Sequence, residues 1–163
     1  MKEARMRRLI QSNLSSAYRL FQEYKKQALN NKDQKQNFNT IRRAIYFEHD
    51  TRFDLSDLID AQAKIQMTES NIHNLRCQLS NQLAVASNYL AELIINCIED
   101  ERPLNIYEQY MGQLQTLVAD MKSYVLDVSA IIAPVTRLHV FLCNMLTKKV
   151  NLIRNCELII ESI

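Results

Sequence analysis

At 163 residues, with one glycine and two prolines, the chain is long enough for one domain but too poor in turn formers for a sheet protein. Its net charge of +2 is too small to imply nucleic acid by itself. Four cysteines without a CxxC pair, and a start (Met1–Arg8) without an apolar run, read as an intracellular chain with reduced thiols and no signal peptide. The fold class that remains is all-α.

The first helical pattern runs from about residue 3 to 29, with Met6, Ile10, Leu14, Ala17, Phe21, Tyr24 and Ala28 on one face. Asn30–Asn37 contains no apolar residue and reads as a loop or a solvated extension of the helix. Phe38, Ile41 and Ile45 resume the spacing, and Glu48–Arg52 is a polar break. Residues 1–50 hold eleven Lys/Arg against five Asp/Glu, so the segment is basic. Arg5, Arg7, Arg8, Arg19, Lys25, Lys26, Arg42 and Arg43 either face an acidic surface, such as a microtubule or nucleic acid, or form an ordinary solvated helix face. The acidic-surface alternative predicts salt-sensitive binding by this segment.

The second pattern occupies residues 54–100, with Asp54 and Ser56 as alternative N-caps. Its stripe is Leu58, Ala61, Ile65, Thr68, Ile72, Leu75, Leu79, Leu83, Ala86, Leu90, Leu93 and Cys97. The steps alternate between three and four except for one extra four at Leu79–Leu83, a stutter that locally unwinds a left-handed supercoil. Glu99–Pro103 then makes either the turn of an αα-hairpin or a kink in a continuing helix, because proline disfavours helical geometry in the residue before it.

The third pattern, residues 104–163, is the longest. Its stripe is Tyr110, Leu114, Leu117, Met121, Tyr124, Val128, Ile131, Val135, Leu138, Leu142, Met145, Lys149, Leu152, Cys156, Ile159 and Ile163. An average step of about 3.5 holds one face against a partner helix. Read as one helix kinked at Pro134, its roughly 54 residues would span about 80 Å. Val118, Val125, Ile132, His139, Leu146, Ile153 and Ile160, all apolar but His139, widen the stripe, and so wide a face suits three or more helices. The most apolar stretch, 124–146, is interrupted by Asp127 and Arg137 and does not read as a membrane span.

From about Asn81 onward the chain resembles the augmin complex's small coiled-coil subunit 2, or a small insect-type augmin component. The residues that carry the resemblance are Arg102-Pro103-Leu104-Asn105-Ile106-Tyr107-Glu108-Gln109-Tyr110-Met111-Gly112-Gln113-Leu114, flanked by Asn88–Ile94 and Leu126–Ile131. The family's order at the proline pair is Leu-Pro, where this chain has Pro-Leu, and its members are longer. The resemblance implies a non-catalytic subunit of an elongated eight-subunit helical complex. That complex binds spindle microtubules and recruits the γ-tubulin ring complex for branching nucleation. It further implies a place in the cytoplasm on the cytoskeleton, at the mitotic spindle and its poles.

Elongated coiled-coil helices in a heteromeric bundle would then use their stripes to meet sister subunits. The expected interface is Leu58, Ile65, Ile72, Leu75, Leu79, Leu83, Leu90 and Leu93 on the second pattern. On the third it is Tyr110, Leu114, Leu117, Met121, Tyr124, Val128, Ile131, Val135, Leu138, Leu142, Met145, Leu152 and Ile159. Two alternatives stand beside this one: a self-contained four-helix adaptor with turns at Pro103 and Pro134, and another spindle or kinetochore coiled-coil subunit.

Nothing points to an enzyme. There is no glycine-rich phosphate loop, and no Ser or Cys lies in a nucleophile motif. Glu69, His73 and Cys77, with His139 and Cys143, repeat a His-x-x-x-Cys spacing compatible with a zinc site, but His73 and Cys77 lie away from the stripe and such coincidences are common on helices. No cofactor, metal, small-molecule substrate or membrane partner is expected.

Overall fold

The structure is a computed structural model that describes residues 2–101, 107–124 and 128–162, with side chains as far as Met145. The described residues form four α-helices and no strand: α1 (Lys2–Tyr46), α2 (Leu55–Glu99), α3 (Glu108–Tyr124) and α4 (Ser129–Ser162). The all-α expectation is met. The chain divides into two compact units. Unit 1 is Met1–Ser15 with Ser80–Ile163, and unit 2 is Ser16–Leu79.

α1 continues straight through Asn30–Asn37. The polar run is helix and not a loop, because it lacks Gly and Pro and its Gln and Lys residues are good helix formers. The helix ends where Phe47 and Glu48 donate their N–H groups to the Arg43 carbonyl (2.9 and 3.2 Å) and Asp50 donates to Ala44 (2.9 Å). His49 takes the left-handed conformation there, with φ of 49°. The Asp50 carboxylate accepts from the Arg52 backbone N–H at 3.0 Å and from its guanidinium at 2.7 Å.

Asp54 is the N-cap of α2. Its carboxylate accepts the Asp57 N–H at 3.1 Å while Asp57 accepts the Asp54 N–H at 3.0 Å, a reciprocal capping box. α2 then runs unbroken through the stutter, with Leu79 and Leu83 both fully buried. It ends at Glu99, and Glu101 is left-handed (φ 56°). The continuing-helix alternative is therefore not what forms; Pro103 itself lies outside the described residues.

The run expected as one long helix is two. α3 stops at Tyr124, and α4 starts after Val128, whose carbonyl accepts the Ile132 N–H at 3.0 Å. Residues 125–127 lie outside the described residues. α4 includes Pro134 without ending there. Proline at this position removes the N–H that would have bonded the Ala130 carbonyl, so the helix loses one hydrogen bond close to its N-terminus.

Unit 1 is a bundle of four helical pieces. α1 contributes Met6, Ile10 and Leu14; α2 contributes Leu83, Leu90, Leu93, Ile94 and Cys97; α3 contributes Leu114, Leu117 and Met121; α4 contributes Ile131, Ile132, Val135 and Leu138, all buried. Unit 2 is a pair of antiparallel helices, the later part of α1 and the earlier part of α2, bridged by Lys35 Nζ and Glu69 Oε1 at 3.5 Å. Its buried apolar residues include Phe21, Tyr24, Ile41, Ala61 and Ile65.

Candidate functional site

The sequence-predicted interface residues divide by burial within the chain itself. Ile65, Leu79, Leu83, Leu90, Leu93, Leu114, Leu117, Met121, Ile131, Val135 and Leu138 are buried by this chain's own helices. Leu58, Ile72, Leu75, Tyr110, Val128, Leu142 and Met145 are half-buried, and Tyr124 is exposed. Leu152 and Ile159 lie beyond the last described side chain. The stripe expected to meet sister subunits is thus largely covered from within. The reason is that apolar faces from helices of one chain meet one another within each unit.

Unit 1 holds a polar cluster where the start of α1 meets the residues around α3's N-terminus. Tyr107 is 1% exposed, and its hydroxyl donates to Glu3 Oε1. Arg7 donates from Nη2 to the same Glu3 oxygen at 3.1 Å, and its guanidinium carbon sits 5.4 Å from the Tyr107 ring centroid. Burial pushes the Tyr107 phenol well above its ordinary range, and hydrogen bonds with Cys97 and Glu3 push the same way. Arg7 is raised as well, first by its hydrogen bond to Tyr107. The phenol therefore stays a neutral donor, and Glu3 accepts from two side chains. Arg7 Nε is buried without a hydrogen-bond partner. The cluster has the parts of a structural clamp.

The sequence reading named Tyr107 only within the stretch Arg102–Leu114 that carries the resemblance. It did not connect Tyr107 to Glu3 and Arg7, about 100 positions earlier. No local pattern carries that pairing. The only signal was that Met6, Ile10 and Leu14 form an apolar face at the head of the same basic segment.

The two His-x-x-x-Cys pairs fall in different units. Cys77 Sγ lies 3.8 Å from His73 Nε2 in unit 2, and Cys143 Sγ lies 3.9 Å from His139 Nε2 in unit 1. Among the described residues no group of three or more His, Cys, Asp or Glu side chains gathers as a metal site. The basic residues of α1 are mostly exposed: Arg5, Arg8, Arg19, Lys26, Arg42 and Arg43 all face outward. Lys2 pairs with Glu92 at 3.6 Å, and Lys25 lies 5.1 Å from the centroid of the Phe21 ring. No described helix is long and apolar enough to cross a membrane.

Set against protein-family models, curated proteins and solved structures, the chain matches none of them.

Proposed function

We propose that this chain is a non-catalytic structural subunit of a heteromeric helical complex of the augmin type. As such it would act in recruiting the γ-tubulin ring complex to existing spindle microtubules, at the spindle and its poles. The observation that carries the subunit reading is unit 2. It is two helices thick, and Leu55, Ile59 and Met67 along α2 stand 59%, 67% and 70% exposed. A helix pair with apolar side chains on its outer faces is stabilised when further helices cover it. The augmin reading in particular rests on the resemblance around Tyr107, Tyr110 and Met111.

The test is affinity purification of the tagged chain from dividing cells, followed by mass spectrometry. A stoichiometric set of helical subunits together with γ-tubulin is the expected result. Recovery of the chain alone, as a monodisperse monomer, would end the subunit reading.

The second reading, a self-contained four-helix adaptor, is favoured by unit 1, where four helical pieces already bury their stripes together. Leu117→Asp with Leu138→Asp does not separate the two readings. Both residues are buried inside unit 1, so the pair is expected to unfold that unit whether or not partners are present.

A further inference from the structure

The first turns of α2, in unit 2, carry an apolar row on the side of the helix away from its core. Leu55, Ile59 and Met67 are more than half exposed, and Ala63 is exposed between them. The core side of the same turns is Ala61, Ile65 and Thr68, all buried. The outward row has a step of four throughout, so it forms one ridge of the kind that packs against another helix. It is also bounded: the turn after Met67 brings Ser70, Asn71 and Asn74, all exposed.

Three observations say what covers this ridge. Read backwards, the row matches itself large against small at its centre: Ile59 meets Ala63, and Leu55 meets Met67. Asp60 and Lys64 each follow a ridge residue by one position and so share one flank; both are exposed, and neither is ion-paired to a described residue. An antiparallel two-fold pair sets like flank against like flank, which brings Asp60 of each copy beside Lys64 of the other. The opposite flank is Gln62 and Gln66, so no like charges are forced together there.

We propose that two copies of this chain pair through this ridge, antiparallel, about a two-fold axis between Ile59 and Ala63. The small Ala63 lets the helices approach closely where they cross. A helix of another protein would have to carry the same reversed order of apolar and charged residues, which this chain already supplies. The face is short, so the pairing is weak, with a dissociation constant on the order of micromolar. The augmin-type reading asks only that further helices cover this face; the inference goes beyond it and names them as those of a second copy.

The experiment is sedimentation equilibrium of the purified full-length chain from about 1 to 100 µM, spanning that constant. A reversible monomer–dimer equilibrium is expected. Ile59→Asp places two carboxylates near the axis and should abolish it, with an unchanged melting curve because Ile59 stands in water. Asp60→Lys alone, or Lys64→Asp alone, should weaken dimerisation about fivefold or more, and the two together should restore it. A dimer that survives Ile59→Asp overturns the proposal, as does one indifferent to both charge reversals. A chain that is monomeric at every concentration, yet loses co-purifying proteins on Ile59→Asp, overturns the second copy and leaves the subunit reading standing. A dimer with the expected responses that brings no other protein from cells supports the proposal and ends the augmin-type reading.

Discussion

Two stretches of the same helix show what surrounds them. In unit 1, α2 presents Leu83, Leu90 and Leu93, each 0% exposed. In unit 2, the earlier stretch of the same stripe keeps Ile65 buried but leaves Leu58, Ile72 and Leu75 half-buried. The residue types match; the number of helices does not. Two packed helices cover a stripe on one side and leave its flanks in water, whereas four close around it. Equal heptad patterns therefore report a contact face, and the depth of that contact depends on how many neighbours the fold supplies.

The contrast predicts unequal mutational costs. Leu90→Ala should cost about 2–5 kcal/mol, the range for a filled core site that leaves a cavity. Ile72→Ala should cost about 1–2 kcal/mol, since part of its surface already faces water. Urea denaturation of the two variants measures both, and equal losses would break the comparison.

Next in size is the clamp of unit 1. Tyr107→Phe removes the donor to Glu3 and leaves a half-buried carboxylate with one partner fewer, for an expected loss of about 1–3 kcal/mol, the scale of a hydrogen bond to a charged group. Its pH signature follows from the raised phenol pKa. Between the ordinary tyrosine value and the raised one, the unfolded chain has released a proton that the folded chain keeps. Stability is therefore fully present below about pH 10 and falls as pH rises beyond it. Tyr107→Phe should flatten that alkaline decline in denaturation curves recorded from neutral pH upward. A decline of the same slope in the variant would assign it to other groups.

Unit 2 carries a weakness of the opposite kind. Asn31 Oδ1 and Gln34 Oε1 are buried with no hydrogen-bond partner, on the stretch of α1 that has no apolar residues. Replacing both with leucine should stabilise the chain by about 1–2 kcal/mol. Thermal melting checks this, and a loss of stability would mean that the polar groups help to specify how the helices pair.

The smallest effect lies in the turn between α1 and α2. The Asp50 carboxyl is held at about 2, below its ordinary 3.8, by hydrogen bonds from the Arg52 side chain and backbone. Its depressed value means that the contact is present above the ordinary carboxyl range and is lost as pH falls through about 2. NMR titration of Asp50 should show this midpoint. Arg52→Ala should move it most of the way back, with little change in overall stability because the pair lies in solvent.

Much of the fold was legible in local chemistry. The scarcity of glycine and proline excluded sheets, Glu48–Arg52 marked the first turn, and Asp54 stood ready as an N-cap. One alternative left open and one misreading have physical causes. Asn30–Asn37 lacked apolar periodicity, yet intrinsic helix propensity carried α1 through it. The break between α3 and α4 was hidden because the apolar spacing keeps its phase across it. The Asp127 and Ser129 side chains, both good N-cap types, were the available signal, and Pro134 drew attention downstream instead.

The candidate site was less legible. The stripes were correctly read as surfaces needing cover, but the identity of the cover is a long-range fact. By itself the sequence determined that the chain is helical, which faces of its helices are apolar, and roughly where they begin and end. Those properties follow from backbone propensity and from spacing over a few residues. Only the tertiary structure decided that most of the stripe is buried by the chain's own helices. Only it brought Glu3 and Arg7 to Tyr107, and left Leu55, Ile59 and Met67 in water. These outcomes depend on which apolar faces meet when the chain turns back on itself, and periodicity carries no record of that choice.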